Sequence, residues 1–231
     1  MKIRDFKTEA KQQLKGQWFA AALVTLVFAA IYVVIPMIIE MKLSGGYDNW
    51  MNTTSNENGQ SASTFIITLV LLPLSVGYSW LFLSLIRTGE RVKISGLFQA
   101  FSEISMYLKL LGTYLLMMIY VILWSLLLII PGIIKAFAYS QTYFVYKDNP
   151  KMGINAAITE SRKLMHGYKW KFFVLQLSFI GWVILGLITV GIGFIWIYPY
   201  MSATYASFYN ALVEKKKGAE PIVIDEVGKD E

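Results

Sequence analysis

The chain predicts an all-α integral membrane bundle: six transmembrane helices, with amphipathic helices lying at the cytosolic surface. Three observations predict it. Hydrophobic runs follow one another from Trp18 to Leu212, each close to the ~20 apolar residues that cross a ~30 Å hydrocarbon core. The 231 residues are 56% hydrophobic and only 16% charged, which is more apolar surface than a soluble domain of this size can hide. All but two of the 21 Lys and Arg fall in gaps on one side of the runs.

The first span, Trp18 to Ile39, contains no charge. Basic residues precede it in the manner of a signal peptide, but the run is too long and no small-residue cleavage site follows, so an uncleaved span is expected. The Asn/Ser/Gly-rich loop from Glu40 to Ser63 carries only Lys42 against Glu40, Asp48 and Glu57. Thr64 to Ile86 is the second span, followed by Arg87, Arg91, Lys93 and Lys109. Leu110 to Ile130 is the third, and Pro131-Gly132 marks a turn. Gly132 to Tyr146 is the fourth, at roughly 22 Å by helical rise; a re-entrant segment is the alternative. Lys147, Lys151, Arg162, Lys163, Lys169 and Lys171 precede the fifth span, Phe172 to Val190, and Phe194 to Val213 is the sixth. The positive-inside rule then expects both termini in the cytoplasm and the Glu40–Ser63 loop outside. The formal charge of +6 reads as membrane orientation and not as a nucleic-acid surface.

The segments between spans have helical periodicity of their own. Ile3, Phe6, Ala10 and Leu14 share a face, as do Leu97, Phe98, Phe101, Ile104 and Leu108, and Ile154, Ala157, Ile158, Ser161 and Met165. Helices with basic and apolar faces lie in the membrane interface. The first and third segments align residue by residue: Glu9 with Glu160, Lys11 with Arg162, Leu14 with Met165, Gly16 with Gly167, and Phe19 with Trp170. One membrane domain, 1–213, thus divides into three helix-plus-hairpin units, 1–86, 87–146 and 147–213, ahead of a charged cytosolic tail, 214–231, whose residues beyond Lys215, Lys216 and Lys217 are expected to be disordered.

The run Ile130-Pro131-Gly132-Ile133-Ile134-Lys135-Ala136, the stretch Ala157–Gly167 (AITESRKLMHG), the stretch Leu177–Tyr200 (LSFIGWVILGLITVGIGFIWIYPY) and Ala206–Tyr209 (ASFY) resemble a bacterial membrane family known as domain of unknown function 975. The likeness extends over about residues 1–213 and implies a bacterial inner-membrane protein whose relatives have no assigned reaction. That family is in turn distantly similar to the membrane portion fused to some glycerophosphodiester phosphodiesterases, whose soluble catalytic domain has no counterpart here.

Few residues offer chemistry. There is no cysteine and a single histidine, His166, which excludes thiolate and multi-histidine metal sites. No Asp or Glu falls within an expected span, so neither an intramembrane protease nor a carboxylate-coupled transporter is indicated; no enzymatic activity and no cofactor are expected. Lys135 is the one basic residue inside an expected span, within snorkelling reach of the outer interface. Ser140, Gln141 and Thr142 could line a cavity or bind neighbouring helices. Lys7, Lys11, Lys15, Arg162, Lys163, Lys169 and Lys171 are the candidate contacts for anionic lipid, worth ~1 kcal/mol each near a charged surface. The expected partners are therefore membrane lipids, with a membrane protein or a second copy beside them. The expected function is a non-enzymatic organiser of lipids or of a partner. The alternative is a transporter of a small or amphiphilic solute, motivated by the Pro- and Gly-broken spans.

Overall fold

A computed structural model describes residues 2–56 and 62–219. Among them every regular element is helical. The last part of the Glu40–Ser63 loop, 57–61, and the tail from 220 onward, for which disorder was expected, lie outside the described residues.

Helix α1 (Ile3–Leu14) buries Phe6, Ala10 and Leu14, the stripe the spacing predicts. Gly16, at φ 81°, reverses the chain, a conformation that only glycine adopts at no cost. Helix α2 (Trp18–Ala29) continues through a π-helical turn, Ala30–Val34, into α3 (Ile35–Leu43). Pro36 explains the widened turn: it has no N–H to donate and its ring crowds the carbonyl four residues back. The expected outer loop contains a further helix, α4 (Tyr47–Asn56), entered through Gly45 and Gly46 at φ 83° and 122°.

Helix α5 (Ala62–Thr88) is the central pillar, with Leu74, Val76, Tyr78, Phe82, Leu83 and Leu85 almost wholly buried. The segment expected to be an amphipathic α-helix before the third span is instead a 3-10 helix, Ile94–Phe101, laid against α5. Gly77 permits this, because a Cβ there would collide with the Leu97 carbonyl.

Helix α6 (Ile104–Leu127) reverses at Leu128, in extended backbone at φ −160° and ψ 138°, into α7 (Ile129–Tyr139) and then α8 (Thr142–Asp148). The turn expected at Pro131-Gly132 therefore sits earlier, at Leu128. Pro131 falls in the first turn of α7, where a missing N–H is tolerated. Two bonds from α6 hold the base of the hairpin: Thr113 and Tyr146 of α8 share a hydrogen bond of 2.8 Å, and Lys109 Nζ donates to the carbonyl of Pro150, just past α8, at 3.0 Å.

Helix α9 (Ile154–Leu164) leads through Gly167, at φ 77°, into α10 (Lys169–Leu177) and α11 (Ile180–Ile188), which form one rod broken at Ser178–Phe179. The last helix, α12 (Phe194–Ala219), packs on α1, α2 and α5.

Four described stretches are long and apolar enough to cross a membrane: Trp18–Leu43, Ser63–Thr88, Ile104–Leu127 and Lys169–Ile188. Helix α12 has the length but not the hydropathy, because it faces protein. Ala203, Thr204, Ala206, Ser207, Phe208 and Tyr209 are buried, and hydroxyls are tolerable where a partner is at hand: Thr204 Oγ1 donates to the Tyr200 carbonyl at 2.7 Å.

Candidate functional site

The residues singled out from sequence go to three places. Ser140, Gln141 and Thr142 form the joint between α7 and α8. Ser140 Oγ donates to Phe137 O at 2.9 Å and Thr142 Oγ1 to Tyr139 O at 2.7 Å. Across the joint, Ser161 Oγ of α9 accepts from the Gln141 N–H at 3.2 Å and donates to Ala138 O at 2.8 Å. Gln141 is fully buried; its Nε2 donates to Ser140 Oγ at 2.8 Å, while its Oε1 has no partner. These polar groups thus stabilise a bend where two helices leave backbone groups unpaired.

Lys7 turns inward. Its Nζ donates to Ser178 O at 2.9 Å and lies 4.1 Å from the centre of the Phe179 ring. It thereby satisfies a carbonyl at the α10–α11 break, and burial lowers its pKa. Glu9, on the same helix, accepts a hydrogen bond from Ser207. Lys11 and Lys15 stay exposed. Lys171 approaches the Tyr168 ring at 5.9 Å.

The remaining candidates converge. Lys135 of α7, Arg162 and Lys163 of α9, His166 in the following turn and Lys169 of α10 line one cavity of about 590 Å³, together with Ala138 and Thr159. No Asp or Glu lines it. Two ion pairs occur among the described residues, Arg87–Asp148 and Lys216–Glu160, and neither involves these cations. Lys135 Nζ stands 4.3 Å over the Trp124 ring, a cation–π contact that tethers the amine at the cavity rim.

Lys169 also lines a second, apolar groove of about 510 Å³ with Ile130, Ile133, Ile134, Phe137, Trp170 and Phe173. Phe137 meets Phe173 edge-on at 5.7 Å and Phe172 at 6.2 Å, while Trp170 tilts on Phe173 at 5.1 Å. Sequence reasoning flagged Lys135 and the three α9–α10 cations separately. It gave His166 no ligand role and missed the groove, because nothing in the linear order says that α7 packs on the first turn of α10.

A cavity of about 620 Å³ lies where α5, α8, α9 and α12 meet. Arg87 holds Asp148 there through both carboxylate oxygens and donates Nε to Asn210 Oδ1 at 2.9 Å; Tyr209 donates to Asp148 at 2.6 Å. Burial disfavours the Asp148 charge, but the bonds from Arg87 and Tyr209 outweigh it and hold the pKa below the usual carboxylate range. Glu160 accepts from Lys216 on the same wall. These charges pair with one another, which marks a clasp between helices. Among the described residues no group of three or more His, Asp or Glu could hold a metal ion.

The family described as "Protein of unknown function (DUF975)" matches residues 1–137 and 126–216. No curated protein and no solved structure matches the chain.

Proposed function

The chain belongs to the DUF975 family, and we propose that it is a non-enzymatic protein of a bacterial inner membrane that organises anionic lipid in the cytoplasmic leaflet. The observation that carries this reading is the destination of the α6–α7 hairpin. Ile130, two residues past its turn, shares a groove with Lys169 and Trp170 at the start of α10, as do Ile133 and Ile134 farther along α7. The distribution of Lys and Arg assigns that end of α10 to the cytoplasm. A hairpin whose base and tip both lie at the cytoplasmic end does not cross the bilayer.

It cannot lie in water either. Leu126, Leu127, Leu128, Ile129 and Ile130 are each 67–78% exposed, and so large an apolar surface needs lipid or a partner. An insertion confined to the cytoplasmic leaflet covers it, with Trp124 and Trp170 at headgroup level. Four crossings follow in place of six: α2–α3, α5, α10–α11 and α12, with both termini in the cytoplasm. The number of crossings stays even, as the basic loops require.

The transport alternative gains less support. The polar cavity around Arg87 and the apolar pocket lined by Thr25, Phe28, Tyr32 and Tyr198 share no lining residue. The lipid reading is tested by quantifying the lipids that remain with the protein after mild detergent extraction. Enrichment of anionic over zwitterionic lipid is expected; a bound-lipid composition equal to that of the bulk membrane would overturn it.

A further inference from the structure

We propose that the basic cavity and the adjoining groove form one stoichiometric site for a phospholipid whose headgroup carries at least two negative charges, with an acyl chain lying along α7. This rests on the leaflet reading above and goes past it, from a lipid-attracting surface to a defined site.

The headgroup half is built from three elements, with Lys135 from α7, Arg162 and Lys163 from α9, and Lys169 from α10. Four Lys and Arg side chains on one wall with no carboxylate among them create a positive potential that an anion relieves. Phosphate suits the donor set, since Arg offers a planar fork to two oxygens and Lys a mobile point charge. The Thr159 hydroxyl and the His166 ring add further polar contacts. A singly charged headgroup would leave most of these cations uncompensated, which is why the site selects a headgroup with two charges or more.

The tail half fixes the source of the phosphate. The groove is apolar along Ile130, Ile133, Ile134, Phe137 and Phe173, and it meets the cavity at Lys169, which lines both. Free phosphate would occupy one half and leave the other without an occupant. A lipid fills both in the orientation a leaflet imposes, charge outward and chain inward. Volumes of about 590 and 510 Å³ each fall in the range of roughly 300–1,000 Å³ typical of ligand pockets.

The test uses the full chain in phosphatidylcholine nanodiscs, with cardiolipin (two phosphates), phosphatidylglycerol (one phosphate) or inorganic phosphate added, read by native mass spectrometry. One retained cardiolipin per chain is expected, well above phosphatidylglycerol. Arg162→Gln with Lys163→Gln should lower that retention about tenfold or more, on roughly 1 kcal/mol per basic residue. Phe173→Ala should weaken it with the charges intact, and Lys11→Gln with Lys15→Gln should change it less than twofold. Equal losses from the α1 and α9 variants, or equal retention of the two lipids, would overturn the site while leaving general anionic enrichment, and so the leaflet reading, standing. Displacement of cardiolipin by inorganic phosphate, with Phe173→Ala silent, would overturn the lipid assignment.

Discussion

The α1–α2 and α9–α10 regions follow the same local plan. Displaced by 151 positions, Ile3 and Ile154 begin the first helix of each pair, Gly16 and Gly167 turn the chain at φ 81° and 77°, and Trp18 and Lys169 begin the second helix. Phe6, Ala10 and Leu14 are buried where Ala157, Ser161 and Met165 are buried. Glu9 and Glu160 both reach α12, through Ser207 and Lys216. The charges differ. In the first region Lys7 is committed to the α10–α11 break, and Gln12, Lys15 and Trp18 stand where the second has Lys163, His166 and Lys169. In the second, the cations meet the α6–α7 hairpin and Lys135. Common spacing dictates the helix–glycine–helix geometry, while the neighbour across the basic face decides whether charges stabilise the fold or stay available for a ligand.

The largest expected effect comes from the part of the plan the two regions share. Leu14→Ala and Met165→Ala each empty a fully buried position, and each should cost about 2–5 kcal/mol, read as a lowered thermal midpoint in detergent. A large loss in one and none in the other would break the equivalence. Next is Ser161→Ala, which removes the bonds to Gln141 N–H and Ala138 O. About 1–3 kcal/mol should be lost, and hydrogen exchange at Gln141 should rise; Ala10, its counterpart, needs no hydroxyl.

Lys7→Met should cost about 1–2 kcal/mol by leaving the Ser178 carbonyl unpaired. Arg162→Gln, on the other copy's exposed face, should alter stability by no more than about 0.5 kcal/mol. Destabilisation of both alike would contradict the division of roles between the two regions. The smallest effect concerns acid. Asp148 is more acidic in the fold than in the unfolded chain, so its contribution is complete above about pH 4 and fades as pH falls through its lowered pKa. The wild-type melting temperature should therefore fall towards Asp148→Asn on acidification below pH 4, with the gap between them constant from pH 6 to 8.

The all-helical bundle was legible because apolar runs, turn glycines and basic gaps are local signals. Phe194 begins α12 where the run begins, and Ile3 and Ile154 begin helices where their periodicity does. The hairpin was not legible. Pro131-Gly132 reads as a turn by composition, yet Leu128 turns, since Pro is equally at home in the first turn of a helix. The protein-facing burial of α12 was not legible either: Phe194 to Val213 reads as a sixth span, and Tyr, Thr and Ser in the run do not say that the helix faces protein. Half the candidate site was legible as Arg162, Lys163 and Lys169; Lys135, placed by sequence near the outer surface, joins them only because α7 crosses α10.

The position of the hairpin tip tests the account most directly, and the absence of native cysteine makes it measurable by single substitution. Leu128→Cys, Asp48→Cys and Lys163→Cys would be treated in intact cells with a membrane-impermeant maleimide, then again after the cytoplasmic face is opened. Asp48→Cys should label from outside and Lys163→Cys only after opening. Leu128→Cys, covered by lipid on the cytoplasmic side, should never label from outside. Labelling of Leu128→Cys in intact cells to the extent of Asp48→Cys would make α6 and α7 a transmembrane pair and contradict the account.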